Sequence, residues 1–135
     1  MDNDVIAVLR LSQSGQLARV AEAVRQGGVK VIEFAFTTPH VLGTLQEGAG
    51  QASDEILVGA GTVSDAETAR VAILAGAQFI VGPRLNLQVV RLCQRYGKIV
   101  ISGAITPPEI LAAWENGAGI VKVFPATVGG PQDLR

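Results

Sequence analysis

Short runs of consecutive apolar residues alternate along the chain with longer stretches in which apolar positions recur three and four residues apart. The first pattern is that of a strand covered on both faces, the second that of a helix with one buried stripe. Val5–Leu9 predicts a first buried strand, and Leu17, Val20, Ala21 and Val24 predict a helix that Gly27-Gly28 ends. Val31–Phe36 is the second strand. After Pro39, suited to a first helical turn, a weaker helix runs towards Glu47, and a loop containing Gly, Ala and Ser follows. Ile56–Gly61 is the third strand, its Gly59 and Gly61 implying close backbone approach. Ser64 or Asp65 then caps a helix through Leu74, with Glu67 placed to close a capping box if Ser64 is the cap. Phe79–Val81, Ile99–Ile101 and the stretch from Ile120 supply strands four to six. Between them, a helix from Leu85 or Asn86 to Tyr96 buries Val89, Leu92, Cys93 and Tyr96. Pro107-Pro108 opens another that turns Ile110, Leu111 and Trp114 inward.

One join recurs, as Arg25-Gln-Gly-Gly-Val-Lys-Val-Ile, Leu74-Ala-Gly-Ala-Gln-Phe-Ile-Val, Arg95-Tyr-Gly-Lys-Ile-Val-Ile and Glu115-Asn-Gly-Ala-Gly-Ile-Val-Lys-Val. Each is a helix end, a glycine, then a strand. Strand starts at 5, 31, 56, 79, 99 and 120 lie 20 to 26 residues apart, the repeat of βα units with parallel strands. Six such units suit a doubly wound sheet, or part of a closed barrel whose eight units need about 200 residues. The first βα turn has no Gly-x-Gly-x-x-Gly signature, so dinucleotide binding has no support. Arg10, Thr37, Thr62, Arg84, Ser102 and Thr106 fall at or just past the C-terminal ends of successive strands, where barrel chemistry is built. One shared active face accounts for them economically. For Ser102 and Thr106, capping of the following helices is the simpler alternative.

Composition narrows the class. The 135 residues are 48% hydrophobic and 17% charged, yet no apolar run reaches the roughly 18 residues of a membrane span, so the excess is core. Eleven basic and 12 acidic side chains nearly cancel, which favours a small-molecule protein over one that binds nucleic acid or an acidic membrane. A single cysteine, Cys93, cannot make an internal disulfide, and the Met1-Asp2-Asn3-Asp4 start is acidic rather than signal-like, so a cytoplasmic setting is expected.

Lys122 is the chemically odd residue, because Ile120-Val-Lys-Val-Phe124 otherwise reads as a fully buried strand. Burial disfavours an ammonium and leaves a neutral amine able to attack a carbonyl, which makes Lys122 a candidate Schiff-base former. The alternative is an edge-strand lysine that blocks aggregation. Alternation puts Ile120, Lys122 and Phe124 on one face. In the second strand Ile32, Phe34 and Phe36 suit packing on helices, so Glu33 points the other way, into the space Lys122 faces. A buried ion pair between distant strands would be a costly way to stabilise a core. His40 reads as a surface residue, and Cys93 and Trp114 as core.

Val31-Ile-Glu-Phe, Val58-Gly-Ala-Gly-Thr62, Gly76-Ala-Gln-Phe-Ile-Val-Gly-Pro83, Ser102-Gly-Ala-Ile-Thr106 and Val121-Lys-Val-Phe-Pro-Ala126 together resemble, in order, the motifs of the 2-keto-3-deoxy-6-phosphogluconate (KDPG) aldolases. That family also includes 4-hydroxy-2-oxoglutarate (KHG) and phosphogalactonate aldolases. The resemblance spans nearly the whole chain. It implies a (β/α)8 TIM barrel, a homotrimer, and no metal or nucleotide cofactor. It also implies Lys122 as Schiff-base lysine, Glu33 as general acid/base, Thr62, Pro83 and Phe124 lining a pyruvyl site, and Arg10 as a substrate-binding arginine at the end of strand one.

Two features depart from that pattern. The family's carboxylate-binding arginine four residues after the glutamate is replaced by Thr37, and Arg84, beside Pro83, is the expected substitute for its charge. Residues 1–135 form a single barrel domain holding six βα units, without strands seven and eight. Two more units would bring the chain to roughly 175–190 residues. The chain is therefore expected to be the N-terminal part of a longer protein, or to be completed by assembly. Two readings follow: a class I aldolase releasing pyruvate from a 2-keto-3-deoxy acid, or a non-catalytic barrel fragment stable only in an assembly or a longer chain.

Overall fold

A computed structural model describes residues 5–12, 16–51 and 56–134; the acidic N-terminus at 1–4 and positions 52–55 of the expected loop lie outside them. Six strands, β1 (Ile6–Leu9), β2 (Val31–Ala35), β3 (Leu57–Gly61), β4 (Phe79–Gly82), β5 (Ile99–Ala104) and β6 (Ile120–Val123), form one parallel sheet in the order β1-β2-β3-β4-β5-β6. Helices α1 (Leu17–Gln26), α2 (Val41–Gln51), α3 (Ala66–Leu74), α4 (Leu87–Arg95) and α5 (Pro107–Glu115) alternate with them. A doubly wound sheet reverses its strand order at a switch point, whereas this sheet never does. Unbroken sequential order curls the sheet into the first six units of a (β/α)8 barrel, with β1 and β6 at open edges.

Strand alternation separates two cores. Leu9, Ile32, Phe34, Val58, Ala60, Ile80 and Val100 face outward onto Leu17, Leu45, Ala72, Val89 and Cys93 of the helices. Val31, Phe79, Val81 and Ile101 make a smaller cluster on the concave face. The repeated join has one cause: Gly28, Gly76, Gly97 and Gly117 all have positive φ, between 63 and 111°, which side chains disfavour. At the other helix ends, Asp65 accepts from the Thr68 N–H and Asn86 from the Gln88 and Val89 N–H groups. Thr106 and Glu109 close a capping box over Pro107. The cap of α3 is thus Asp65, and Glu67 closes no box there. No described helix is long and apolar enough to cross a membrane.

The differences from expectation concentrate at the open edges. Trp114 is 64% exposed and Leu111 is exposed too; Ala113 is the buried residue of α5, and Ile110 is half-buried. Helix α5 lies over the edge strand, so among the described residues one flank has no neighbouring unit. For the same reason β1 is buried only at Leu9, with Val8 47% exposed, and β6 is half-buried rather than sealed. Tyr96 lies at the margin of α4, its hydroxyl accepting from Arg70 Nε at 3.4 Å. Helix α2 also runs beyond Glu47, through Gly48 and Gly50, because its buried Val41 and Leu45 hold it to the sheet.

Candidate functional site

Parallel register carries one set of side chains to the concave face. Val8 pairs with Glu33, Glu33 with Gly59, and Gly59 with Phe79 of the concave cluster, so Glu33 faces inward. On β5, Ile101 belongs to that cluster and Gly103 lies two residues further along the same face, paired with Lys122. A carboxyl from the second strand and an amine from the sixth therefore open onto one space on the concave face.

Glu33 is 3% exposed. Among the described residues it makes no hydrogen bond or salt bridge, yet neither carboxylate oxygen is both sealed from solvent and unpartnered. Its carboxyl is raised above the usual carboxylate range: burial favours the neutral acid, and the charges of Lys122 and Arg10 oppose this without overcoming it. Lys122 is half-buried, with Nζ 5.2 Å from the centroid of the Phe124 ring, a cation–π contact made two residues along the strand. Arg10, just past β1, donates from Nη2 to Thr62 Oγ1 at 3.2 Å. That contact spans the β2 strand carrying Glu33. Thr62 has φ 60°, a costly conformation for a β-branched residue and one typical of sites where backbone position matters. Neighbouring ladder bonds hold it, Phe36 N to Gly61 O at 2.9 Å and Val63 N to Val81 O at 3.1 Å.

Pro83 follows β4 and its carbonyl lies over Gly103, where any side chain would overlap it. Phe124 is exposed at the end of β6. Arg84 is exposed and has no hydrogen bond or ion pair among the described residues; the cations acting on Glu33 are Lys122 and Arg10. Thr37 and His40 are exposed, Thr106 is committed to its cap, and Ser102 is buried within β5 rather than capping a helix. Among the described residues no group of three or more His, Cys, Asp or Glu could hold a metal ion. The arrangement can supply a nucleophilic amine, a proton-carrying carboxyl and an anion-binding guanidinium.

A family model for KDPG and KHG aldolase matches residues 1–134. The chain belongs to that family. It is 37% identical over 126 residues to the 2-dehydro-3-deoxy-phosphogluconate aldolase of Treponema pallidum, covering 93% of this chain and 60% of that protein. It is 33% identical over 132 residues to the 2-dehydro-3-deoxy-6-phosphogalactonate aldolase of Escherichia coli, covering 97% and 64%. The chain thus spans about 60% of the length of the curated relatives it matches. The native KDPGal structure superimposes with a TM-score of 0.88 at 32% identity over 98% of this chain and 64% of that one. A KDPG aldolase from Legionella pneumophila, with pyruvate captured at low pH as a covalent carbinolamine intermediate, superimposes equally well, with a TM-score of 0.88 at 28% identity over the same shares.

Sequence reasoning missed two contributors. Thr38 is buried and its Oγ1 accepts from the Leu11 N–H at 3.2 Å, tying the loop after β1 to the loop after β2. Phe79 packs its ring against Gly59 and floors the concave face. The glycine in the third strand was the available signal for the second; nothing local signals the first.

Proposed function

We propose that this chain carries the Schiff-base chemistry of a class I aldolase that cleaves a 2-keto-3-deoxy-6-phospho sugar acid, or 4-hydroxy-2-oxoglutarate. The products would be pyruvate and an aldehyde, glyceraldehyde 3-phosphate or glyoxylate. The observation that carries the proposal is that Glu33, buried and with its carboxyl pKa raised by that burial, opens onto the same concave space as the Lys122 amine. Lys122 adds to the C2 ketone. The carbinolamine loses water, and the resulting iminium accepts the electron pair released as the C3–C4 bond breaks. Glu33 moves the protons: to the carbinolamine hydroxyl as it leaves, and from the hydroxyl that becomes the aldehyde. A carbinolamine is what an amine and a ketone form first, and the captured pyruvate of the Legionella pneumophila relative supports this route. Arg10 and Thr62 hold the substrate at one side, Pro83 and Phe124 line the pyruvyl end, and Arg84 supplies the charge that Thr37 does not. The working form is a cytoplasmic homotrimer of chains that contain these six units.

Pyruvate with borohydride should add one reduced adduct per chain, located at Lys122 by peptide mass. An adduct that persists in Lys122→Met would remove the lysine from the mechanism. The exposure of Ile6, Val8, Leu57, Ile99 and Ile120, which share the concave face by register, favours a second reading. In it, these six units are non-catalytic until further strands or another chain cover the edges. Absence of any adduct in a folded protein is the outcome that would select it.

A further inference from the structure

Gly61 ends β3, and its backbone does not need to be glycine. The described glycines with positive φ are Gly28, Gly76, Gly97, Gly117 and Gly130, so Gly61 has a conformation open to any residue. What it lacks is a side chain. A Cβ at Gly61 would overlap the Oε1 and Cδ atoms of Glu33 and lie 2.6 Å from its Cγ, and these are its three nearest neighbours. The other glycines of the concave face differ. A Cβ at Gly59 would meet the Phe79 ring, and one at Gly103 would meet the Pro83 carbonyl and, at 3.0 Å, the Arg84 nitrogen.

No polar contact fixes the Glu33 carboxyl among the described residues. Among the described residues no hydrogen bond or salt bridge reaches it, and the charged groups that act on it, Lys122 from β6 and Arg10 from β1, do so at a distance. The short-range contact left to select its rotamer is steric, against Gly61. We propose that Gly61 is a positioning residue for Glu33: the volume of its missing side chain seats the carboxyl against β3, facing the Lys122 amine. A methyl group there would push the carboxyl towards the open side of the sheet, nearer water. The carboxyl is the movable end of a flexible side chain, so the substitution would displace it and leave the backbone in place. As a role in turnover this rests on Glu33 being the acid/base proposed above; as a statement about where the carboxyl sits, it does not.

The test compares Gly61→Ala, Glu33→Asp and the double variant, reading the melt, the Glu33 carboxyl titration by 13C NMR, and the rate of the borohydride-trapped pyruvate adduct. Gly61→Ala should melt cooperatively, titrate Glu33 down towards the ordinary carboxylate range, and form the adduct about 10²-fold more slowly, as misplacement by an ångström can cost. Glu33→Asp, one methylene shorter, should cost less in the Gly61→Ala background than alone, since the clash is then relieved. An unmoved titration together with an unchanged trapping rate overturns the proposal. So does a double variant that fails to fold alongside Gly61→Ala, because glycine would then be required by the backbone. If wild-type protein forms no adduct, or Lys122→Met still does, the aldolase reading fails, and the carboxyl titration still decides the role of Gly61.

Discussion

Glu33 is held between two opposing influences, burial that favours the neutral acid and two cations that favour the carboxylate, and burial is the larger. The sign of its effect on stability follows. The folded state holds the proton more tightly than the unfolded chain, so stability from this group is fully present below the ordinary carboxylate pKa and is lost as pH rises through the raised folded value. Glu33→Gln keeps the shape without the charge, so its melting temperature should fall less than wild type between acid and neutral pH. Parallel pH dependences would mean that Glu33 ionises freely. The same variant should slow turnover by roughly 10²–10⁴-fold, the usual worth of a positioned acid or base, and a near-wild-type kcat would reassign that role. Arg84 is a weaker case because its side chain reaches into solvent. If it binds the substrate carboxylate, Arg84→Ala should raise the KM for pyruvate in the condensation direction, and an unchanged KM would take it out of the site.

At the scale of elements, two helices differ in how they are held. Helix α5 begins with a complete capping box: Glu109 Oε2 accepts from the Thr106 N–H at 2.9 Å, and Thr106 Oγ1 accepts from the Glu109 N–H at 3.4 Å. Thr106→Ala should therefore cost about 1 kcal/mol, read from denaturant unfolding. Helix α2 contains Gly43, Gly48 and Gly50 and depends on packing instead. Beside Gly48 is a cavity of about 100 Å³ bounded by α1, α2 and the outer face of the sheet. A methyl at Gly48 would make ordinary contacts with Phe34 Cε2 at 3.5 Å and Val58 Cγ1 at 3.8 Å. Gly48→Ala should accordingly stabilise the protein by up to about 1 kcal/mol, the propensity gain of alanine over glycine. A loss would show that α2 needs flexibility there.

At the scale of the whole sheet the governing fact is that, among the described residues, β1 and β6 do not pair with each other. Two unpaired strand edges flank a concave face where Ile6, Val8, Leu57, Ile99 and Ile120 are exposed, and Leu111 and Trp114 extend the apolar surface over α5. Open parallel edges with apolar flanks invite pairing with another chain. A purified species of intact mass 14.0 kDa should therefore sediment as an oligomer. It should also show no advantage for phosphorylated over unphosphorylated substrates, because the phosphate site of a closed barrel is built from the loops after strands seven and eight. A monomer of that mass with a cooperative melt would show that the edges need no cover, and a strong phosphate preference would show that these six units bind phosphate without those loops.

Local rules of the chain were enough for much of this. The period of the βα units, the glycine joins, the Thr106 and Asn86 starts of helices, and the inward direction of Glu33 and Lys122 follow from alternation, capping and positive-φ chemistry acting over a few residues. Each can be read from the sequence because its cause lies within one element or one turn. Tertiary structure alone decided what depends on neighbours distant in sequence. An apolar residue is buried only if something covers it: Trp114, Val8 and Lys122 have the same local sequence context whether β6 and β1 are interior strands or edges, and the six-stranded sheet makes them edges. The contact of Glu33 with Gly61 has the same origin. A glycine at the end of a strand signals close approach, but only the parallel register of β2 and β3 brings a carboxyl to fill the space.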